Sequence, residues 1–373
     1  MTIKELAYSV QQHLQAFTAE PLKRAHAYEL LSAAFGYKSY AAFGVDAIFA
    51  EGFLDPERLA SAKVSVEQRF IGLGYRQATA DTVALALAEF LGQNQIGIKR
   101  ISELIAVLHQ IASDYGDEGF EYEEERYQLS SELVDSFAGG RELLFENPIG
   151  ALELECLESA ADKGVAQAHY ALALSLGGPR DNSDGGGYWY SVQQQGQVLQ
   201  GVEKEWADGH AAWLLQRKKR EYHLDEAARL GEPNALLALN DPTCFELFAA
   251  STDINPAFMA NLAHRFHRWN EEERWLTVAA EAGNTKAMCE LIEGYHSQNL
   301  QTCWKWVYLA ALLGEDLTAD KHVAIHENGS PYDDDVGGTI FVHENYGIEL
   351  DPLEGNLDRL AREAAQEIFS RIG

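Results

Sequence analysis

The side chains best suited to metal chemistry are two histidines, His264 and His267, which lie three residues apart. In a continuous helix this spacing places both imidazoles on one face. A zinc site needs further nitrogen, sulfur or carboxylate ligands, and the neighbouring sequence offers no cysteine or acidic pair at a compelling spacing. We therefore expect no metal ion at this position.

Carboxylates cluster in two segments, and Ca²⁺ is the ion that such clusters attract. Residues 113–126 are rich in Asp and Glu, and Asp333, Asp334 and Asp335 lie in a second polar segment, 327–335. The spacing in the first segment does not match a calcium loop that ends in a bidentate glutamate. We predict that 113–126 is a solvated acidic loop and helix start, and that 327–335 is a solvated loop.

Motifs of serine hydrolases, zinc proteases, P-loop nucleotide binders and paired-cysteine sites do not occur in the sequence. Gly72-x-Gly74 is not a nucleotide-binding loop, because no strand is predicted before it. We therefore predict no catalytic residue, no cofactor and no metal. Because no C-x-x-C pair occurs, the cysteines are expected to be reduced, partly buried thiols. They are Cys156, Cys244, Cys289 and Cys303.

The chain carries a formal net charge of −29 over 373 residues. Residues 1–100 are neutral, with ten basic and ten acidic side chains, so the excess of acid lies in the rest of the chain. Such a field repels phosphate backbones and anionic membranes, and it suits solubility or a basic partner. The basic cluster Arg217-Lys-Lys-Arg220 forms no concentrated patch, because these side chains point in different directions in a helix.

These candidate groups lie in a sequence organised by a repeated pattern of small residues. Residues 275–287 and 306–318 both spell Trp-x-x-x-Ala-Ala-x-x-Gly-x-x-x-small. Two further copies keep the Ala pair and the Gly but have Cys156 and His223 at the Trp position. The positions that carry the pattern are Ala160, Ala161, Gly164, Ala168, Ala227, Ala228, Gly231, Ala235, Trp275, Ala279, Ala280, Gly283, Ala287, Trp306, Ala310, Ala311 and Gly314.

Each copy predicts a helical hairpin. The residue at the Trp position and the first Ala are four apart, so they share one helical face. The Ala pair lets a neighbouring helix approach closely, and the Gly ends the helix in a left-handed conformation. Because each hairpin buries only one face, several must stack to make a core.

The pattern resembles the Sel-one-like repeat, a subclass of the tetratricopeptide-repeat superfamily. That family has an aromatic residue, an Ala pair, a helix-ending Gly, and then Ala and Leu-Gly-x-x-Tyr. Leu172, Leu239 and Leu291 follow at the matching position, but Ala173 and Ile292 replace the Gly. The resemblance implies stacked helix pairs and an adaptor that binds other proteins.

The resemblance covers about residues 150–320, and its copies are irregularly spaced. Successive Ala pairs are 67, 52 and 31 residues apart, whereas a tetratricopeptide repeat has about 34 residues. We expect one eroded repeat around 206–213 and an insertion near 240–270. An irregular stack is therefore predicted in place of a regular superhelix.

The N-terminal part is predicted to be a helical module. Asp55-Pro56-Glu57 is a helix start, with a cap, a proline and an acid in order. Residues 22–43 resemble a small helical segment at the front of assorted bacterial proteins. Two helices around a Gly turn could also contact DNA, through Lys23, Arg24 and Lys38. Further helices are predicted over 1–17, 18–35, 37–43, 79–91 and 98–111.

The remaining segments contain loops, two strands and a last helix. Residues 177–187 are a predicted loop, and the aromatic trio 188–190 either packs that loop onto the scaffold or forms a binding edge. Short strands are predicted at 323–326 and 339–342. A helix over about 353–372 would cap the stack. Its predicted apolar stripe is Leu357, Leu360, Ala364, Ile368 and Ile372.

Together these features predict an all-α protein with an irregular α/α solenoid of helix-turn-helix repeats at 147–320. A helical domain at 1–146 precedes it, and a short β-hairpin with a capping helix at 321–373 follows. We expect a protein–protein interaction scaffold for a protein or peptide, a basic one by charge, without catalysis or cofactor.

Two other functions stay open. One is a regulator that contacts nucleic acid through the N-terminal helices, which the net charge opposes, and the other is an enzyme with a dispersed site. No apolar run is long enough to span a membrane, and the first residues have no signal-peptide core. We therefore expect a cytoplasmic protein with no membrane partner.

Overall fold

The computed structural model describes residues 1–18, 20–55, 57, 61–116, 149–177, 186–252, 254–325 and 341–372. These residues are mainly α-helical, as predicted, and include two two-stranded sheets. The chain divides into two compact units, Met1–Asp241 and Pro242–Gly373. The domain boundaries at 146/147 and 320/321 stay predictions. None of the described helices combines the length and apolar character that crossing a membrane requires.

The first unit consists of helical hairpins and one strand pair. Its strands are β1 (Ala47–Glu51) and β2 (Ile96–Arg100). Its helices are α1 (Ile3–Gln15), α2 (Arg24–Ala34), α3 (Lys63–Gly72), α4 (Ala80–Gln93), α5 (Ile101–Gly116), α6 (Ala151–Asp162), α7 (Ala166–Ser175), α8 (Gly186–Gln194), α9 (Val202–Arg229) and α10 (Pro233–Ala238).

Helix α1 forms because its start is capped and one of its stripes is apolar. Thr2 and Glu5 exchange side-chain and backbone hydrogen bonds in a capping box. The N–H of Ile3 donates to the Glu155 carboxylate at 2.7 Å, which ties α1 to α6. One hydrophobic core then runs through residues 3–108 and 149–235. The buried stripe of α1 is Ile3, Leu6, Ala7, Val10 and Leu14.

The strand pair β1–β2 was not predicted. The strands are antiparallel, with Ala47 opposite Arg100 and Glu51 opposite Ile96. The helix predicted over 98–111 is therefore wrong at its start and begins at Ile101. Both strands are five residues long, and a segment this short cannot be distinguished from part of a helix by periodicity.

A close backbone approach fixes the strand β2. A Cβ atom at Gly97 would overlap the backbone carbonyl of Phe53. Only glycine leaves room for this contact, which is the usual reason for a glycine inside a strand. The backbone at Phe53, which crosses β2 at this point, therefore requires glycine at position 97.

Two N-terminal predictions need correction. Residues 40–44 form a turn in place of the helix predicted over 37–43, and Gly44, with φ +79°, ends that turn in the left-handed region. Residues 113–116 belong to helix α5 and are not a loop. At the predicted helix start, the Asp55 carboxylate accepts a hydrogen bond from the N–H of Glu57 at 3.0 Å, as a cap does. Pro56, the rest of 113–126 and all of 327–335 lie outside the described residues.

Helix α9 runs unbroken through the segment where an eroded repeat was predicted. Gly209 stays helical and makes no turn, at a cost of about 1 kcal/mol relative to alanine. Gly186 and Gly187, which were predicted in the loop 177–187, instead begin α8, and 178–185 lie outside the described residues. A Cβ at Gly186 would lie 3.1 Å from the Trp206 carbonyl oxygen, so glycine lets α8 approach α9 closely.

The second unit is built from short helical hairpins and a strand pair. Its strands are β3 (Lys321–Ile325) and β4 (Phe341–Asn345). A π-helical turn covers Leu291–Tyr295. Its α-helices are α11 (Cys244–Ala249), α12 (Pro256–Arg265), α13 (Trp269–Glu281), α14 (Thr285–Glu290), α15 (Leu300–Leu312) and α16 (Gly355–Ile372).

The predicted strand pair near the C terminus is confirmed, with bounds displaced by about two residues. Strands β3 and β4 are antiparallel, with Lys321 opposite Asn345. The stripe predicted for the last helix is mostly wrong, since Leu357, Leu360 and Ile372 are exposed. The helix packs small residues against α15. The prediction relied on the spacing of the large apolar residues and therefore identified the wrong face. Its buried residues are Ala361, Ala365 and Ile368.

Candidate functional site

The glycines of the four repeat copies end helices in the left-handed region. Their φ angles are +80° at Gly164, +86° at Gly231, +98° at Gly283 and +94° at Gly314. A second helix follows in the first three copies. In the fourth, turns and strand β3 follow, because the Asp316 side chain accepts hydrogen bonds from the N–H and hydroxyl of Thr318 and closes a turn. The hairpin predicted there is wrong.

The Ala positions differ in burial. The first Ala of each pair, Ala160, Ala227, Ala279 and Ala310, is buried. The small residues of the following helices, Ala168, Ala235 and Ala287, are buried too. The second Ala is buried at Ala161 and Ala280, half-buried at Ala228 and exposed at Ala311.

The residue four positions before the Ala pair has a different environment in each copy. Cys156 is buried, and Trp306 is 0% exposed. His223 is half-buried, with its Nδ1 3.0 Å from the Nδ1 of His169. Trp275 is half-buried, and its Nε1 is enclosed without a hydrogen-bond partner among the described residues. The position is therefore not equivalent from copy to copy.

Trp306 is held by a closed set of hydrogen bonds. Its indole N–H donates to Nδ1 of His296 at 3.2 Å. The proton of that imidazole must then be on Nε2, which lies 3.3 Å from the Glu273 carboxylate. Cys303 donates its S–H to the His296 backbone carbonyl. Because both ring nitrogens are engaged, His296 is structural and is not positioned as a general base.

A second set of polar groups lies at the start of helix α13. We call it the α13 patch, and its members are His264, His267, Trp269, Glu272 and Glu273. Trp269 is 50% exposed, and the rings of His264 and His267 each lie 5.4 Å from its ring. Trp269, Glu272 and Glu273 share one helical face, because they are three and four residues apart.

Glu272 is the unusual member of the α13 patch, because it is a buried carboxylate. Its Oε1 is 3.0 Å from Nδ1 of His264, and its Oε2 is enclosed without a partner among the described residues. Tyr295, at the end of the π-helical turn, donates its hydroxyl to the same carboxylate. Burial first, and then this hydrogen bond and nearby carboxylates, raise the pKa of Tyr295.

This geometry corrects the prediction about the two histidines. His264 lies in the last turn of α12, whereas His267 lies after the helix with φ +56°, so the two do not share a helical face. Within the described part of the chain, no group of three or more His, Cys, Asp or Glu side chains is arranged to hold a metal ion. His264 bonds to Glu272, and no described hydrogen bond joins it to a hydroxyl or thiol that could act as a nucleophile.

The other candidates are dispersed. The four cysteines are free, and three are buried, as predicted. In the basic cluster, Arg217 pairs with Glu221 at 2.9 Å and lies over the Trp213 ring. Of the aromatic trio, Tyr188 is 65% exposed, while Tyr190 packs against His210.

Sequence spacing could not reveal the α13 patch. The signal present in the sequence was the run Trp269-Asn-Glu-Glu-Glu273 directly after His264 and His267. Tyr295 joins it from 23 residues further on in the sequence, which no local pattern indicates. The π-helical turn that carries Tyr295 is itself a rare element, and such turns are frequent at functional sites.

Comparisons with known proteins give no identification: no family model, no curated protein and no solved structure matches this chain. The resemblance to Sel-one-like repeats therefore stays a prediction. Only the residues of this chain indicate the function of the protein.

Proposed function

We propose that this protein is a protein-interaction scaffold whose second unit binds a basic segment of a partner protein at the α13 patch. The observation that carries the proposal is a half-exposed Trp269 one turn before Glu272, a buried carboxylate with an unpartnered oxygen. We further propose that the helical hairpins stack as an irregular solenoid of the Sel-one-like kind, with the residues before 147 as an added helical module.

The exposed indole supplies the binding surface. Tryptophan is among the residues that contribute most to protein–protein interfaces, and its ring attracts Lys and Arg side chains by about 0.5–2 kcal/mol. The imidazoles of His264 and His267 hold the Trp269 ring from two directions. A held ring loses less conformational entropy on binding than a free one does.

The carboxylates supply the charge that selects a basic partner. Glu272 and Glu273 lie on the face of Trp269, and the unpartnered Oε2 of Glu272 is an acceptor. Leaving such a group unsatisfied costs about 1–3 kcal/mol. Because this oxygen is enclosed, a partner N–H would reach it and relieve that cost only after the surrounding side chains move. The His264 side chain is 67% exposed, so it can move aside to open the approach to Glu272.

The charge of the whole chain favours the same class of partner. With a net charge of −29, the protein attracts cationic segments and speeds their association at low ionic strength. A nucleic-acid partner is disfavoured by the same charge. The alternative contact through residues 22–43 also loses its second helix, since residues 40–44 form a turn in place of the helix predicted over 37–43.

Fluorescence anisotropy with labelled peptides tests this function. The probes are Arg- and Lys-containing peptides with one aromatic residue, and matched peptides in which Glu replaces the basic residues. We expect binding of the basic set alone. Trp269→Ala and Glu272→Gln should each weaken it about tenfold, which is about 1.4 kcal/mol. The control Glu281→Gln changes an exposed carboxylate at the far end of α13 and should have little effect.

Two results would contradict the proposal. One is that no basic peptide binds the wild-type protein with a dissociation constant below about 1 mM. The other is that peptides bind but Trp269→Ala and Glu272→Gln bind them as tightly as the control variant does. In that case the net charge, and not the α13 patch, would account for the binding.

A further inference from the structure

Helix α9 is much more exposed than its length suggests. Of its 28 residues, Ala207, Leu224 and Ala227 are buried. A helix that is open along most of its surface gains little stability from tertiary packing. The open surface of α9 is therefore a feature that the fold of the first unit does not explain.

One exposed stripe of α9 has the spacing of a helix-pairing seam. Its members alternate three and four residues apart over three turns or more, which keeps them on one face. All six are exposed, with Leu215 at 57% and Tyr222 at 58%. We call them the α9 stripe: Glu205, Asp208, Ala212, Leu215, Lys219 and Tyr222.

Other parts of the first unit occupy the rest of the α9 surface. Gly186 and Gly187 of α8 lie against Trp206 and His210, on the side where Ala207 is buried. Further along, His169 of α7 contacts His223 at 3.0 Å, and its ring lies 6.2 Å from the ring of Tyr222. At 100° per residue, the α9 stripe is centred on the side of the helix that faces away from α8, and α7 borders its Tyr222 end.

Charge is distributed unevenly along the α9 stripe. Glu205 and Asp208 make its first end acidic, Ala212 and Leu215 make its middle small and apolar, and Lys219 gives the other end a cation. No ion pair joins Asp208 or Lys219 to another residue that the structure describes. The stripe is thus complementary to itself when its direction is reversed.

We propose that the α9 stripe pairs with the same stripe of a second copy of this chain, antiparallel and about a two-fold axis. An axis between residues 212 and 215 brings Asp208 of each copy to Lys219 of the other, and Ala212 to Leu215. It also brings Glu205 to the Tyr222 hydroxyl, which can donate to the carboxylate. Each contact occurs twice, as two-fold symmetry requires.

The alternation of a small and a larger residue suits close packing at the axis. Ala212 of one copy leaves room for Leu215 of the other, as small residues do where helices approach closely. The paired ends then exclude the parallel arrangement, because that would put Asp208 beside Asp208 and Lys219 beside Lys219. The same residues therefore specify both the partner and its direction.

The net charge of −29 opposes association of two copies. At about 0.15 M salt the screening length is about 8 Å, so most of that long-range repulsion is removed while direct contacts in the seam persist. We therefore expect a weak or moderate dimer that loosens at low ionic strength. This inference uses the first unit alone and does not depend on the α13 patch.

Charge reversal tests the pairing. The variants Asp208→Lys and Lys219→Asp each create two like-charge contacts in the symmetric dimer and should raise its dissociation constant about tenfold or more. An equimolar mixture of the two variants should form a heterodimer. In that heterodimer the two substituted side chains, of opposite charge, face each other, and the two unsubstituted ones keep their original pairing. The double variant in one chain should restore the homodimer.

Sedimentation velocity at about 0.15 M salt measures the masses, and circular dichroism checks that each variant is folded. The control Lys218→Asp makes the same charge change at an exposed neighbour that points about 100° away, so it should dimerise like the wild type. The proposal would be overturned if the wild-type protein sediments as a single chain at every concentration up to about 100 µM. A dissociation constant of that size corresponds to about 5.5 kcal/mol of binding free energy. It would also be overturned by a dimer that both reversals leave intact, or by variants that fail to associate when mixed.

Discussion

Helices α13 and α15 have the same repeat pattern, but their tryptophans differ in burial and in hydrogen bonding. On α15, Trp306 is fully buried and donates to His296, and the N–H of half-buried Trp304 donates to the Asp351 carbonyl at 2.8 Å. On α13, Trp269 is half-exposed, and the enclosed N–H of Trp275 has no partner among the described residues.

The difference shows that the repeat pattern determines where a helix ends and turns but not how deeply its tryptophans are buried. Helix α15 is covered by α16 and joins a core that includes Ala365 and Ile368. Helix α13 contributes Leu276, Ala279 and Ala280 to the same core but leaves Trp269 half-exposed. Under the proposed function, the α15 copy supplies stability and the α13 copy supplies binding. Variants of Trp306, Ala310, Trp275 and Trp269 can break or sharpen that division.

The largest effect is expected from Trp306→Ala. Removing a fully buried indole leaves a cavity and an unpartnered nitrogen on His296, so the free energy of unfolding should fall by about 3–5 kcal/mol. Urea denaturation followed by circular dichroism measures this. If Trp306→Ala does not fold, Trp306→Phe serves, with a smaller loss. A change below about 1 kcal/mol in either variant would remove the structural role assigned to α15.

The next effect separates the two alanines of one pair. Ala310→Leu adds volume where Ala310 is buried, and overpacking should cost about 1–3 kcal/mol. Ala311→Leu adds the same atoms at an exposed position and should change stability by less than about 0.5 kcal/mol. Equal losses in the two variants would mean that the face of α15 is assigned wrongly. Urea midpoints of the pair give the comparison.

A smaller effect is expected at His223, which occupies the Trp position in the first unit. Burial, and then the charges of His169 and Lys219, lower the pKa of His223. Because His223 binds a proton more readily in the unfolded chain than in the folded one, protonation favours unfolding. The folded protein is therefore most stable above pH 6.5, the ordinary pKa of histidine, and it loses stability as the pH falls below that value.

The thermal midpoint should therefore fall between about pH 7.5 and 5.5, and His223→Gln should reduce that fall by on the order of 1–2 °C. His322→Gln is the control, because His322 is exposed and lies in the second unit. An unchanged pH slope in His223→Gln would show that the His169–His223 contact does not restrict protonation.

The smallest change in stability is expected on α13 itself. Trp275→Phe keeps an aromatic ring and removes an N–H that has no described partner, so the free energy of unfolding should stay within about 0.5 kcal/mol of wild type. The same measurement on Trp269→Ala should show a loss well below that of Trp306→Ala. A loss as large as that of Trp306→Ala would show that half-exposed Trp269 stabilises the fold as much as buried Trp306 does, and would end the division between the two helices.

Local signals in the sequence predicted much of the helical structure. The helix predicted over 1–17 is present as α1, and the glycines at 164, 231 and 283 predicted where hairpins turn. These features depend on residues within one or two turns of each other. The strands β1 and β2 were missed because runs of five residues are too short for periodicity to distinguish a strand from a helix.

Burial and the candidate site depend on distant partners, so the sequence did not predict them. Trp275 and Trp306 occupy the same position in the repeat pattern, yet Trp306 is fully buried and Trp275 is half-buried. Glu272 is buried and bonded to His264, and Tyr295 approaches it from the π-helical turn. Gly209 lies in the segment where an eroded repeat was predicted, yet it stays helical within α9.

The buried thiols make local opening of either unit chemically visible. Cys156 lies in the first unit and Cys303 in the second, and burial raises the pKa of Cys156 to about 12. Since only an exposed thiolate is alkylated readily, the labelling rate of each cysteine in native buffer records how often its surroundings come apart. Mass spectra recorded at successive times would thus give the rate of local opening in each unit separately.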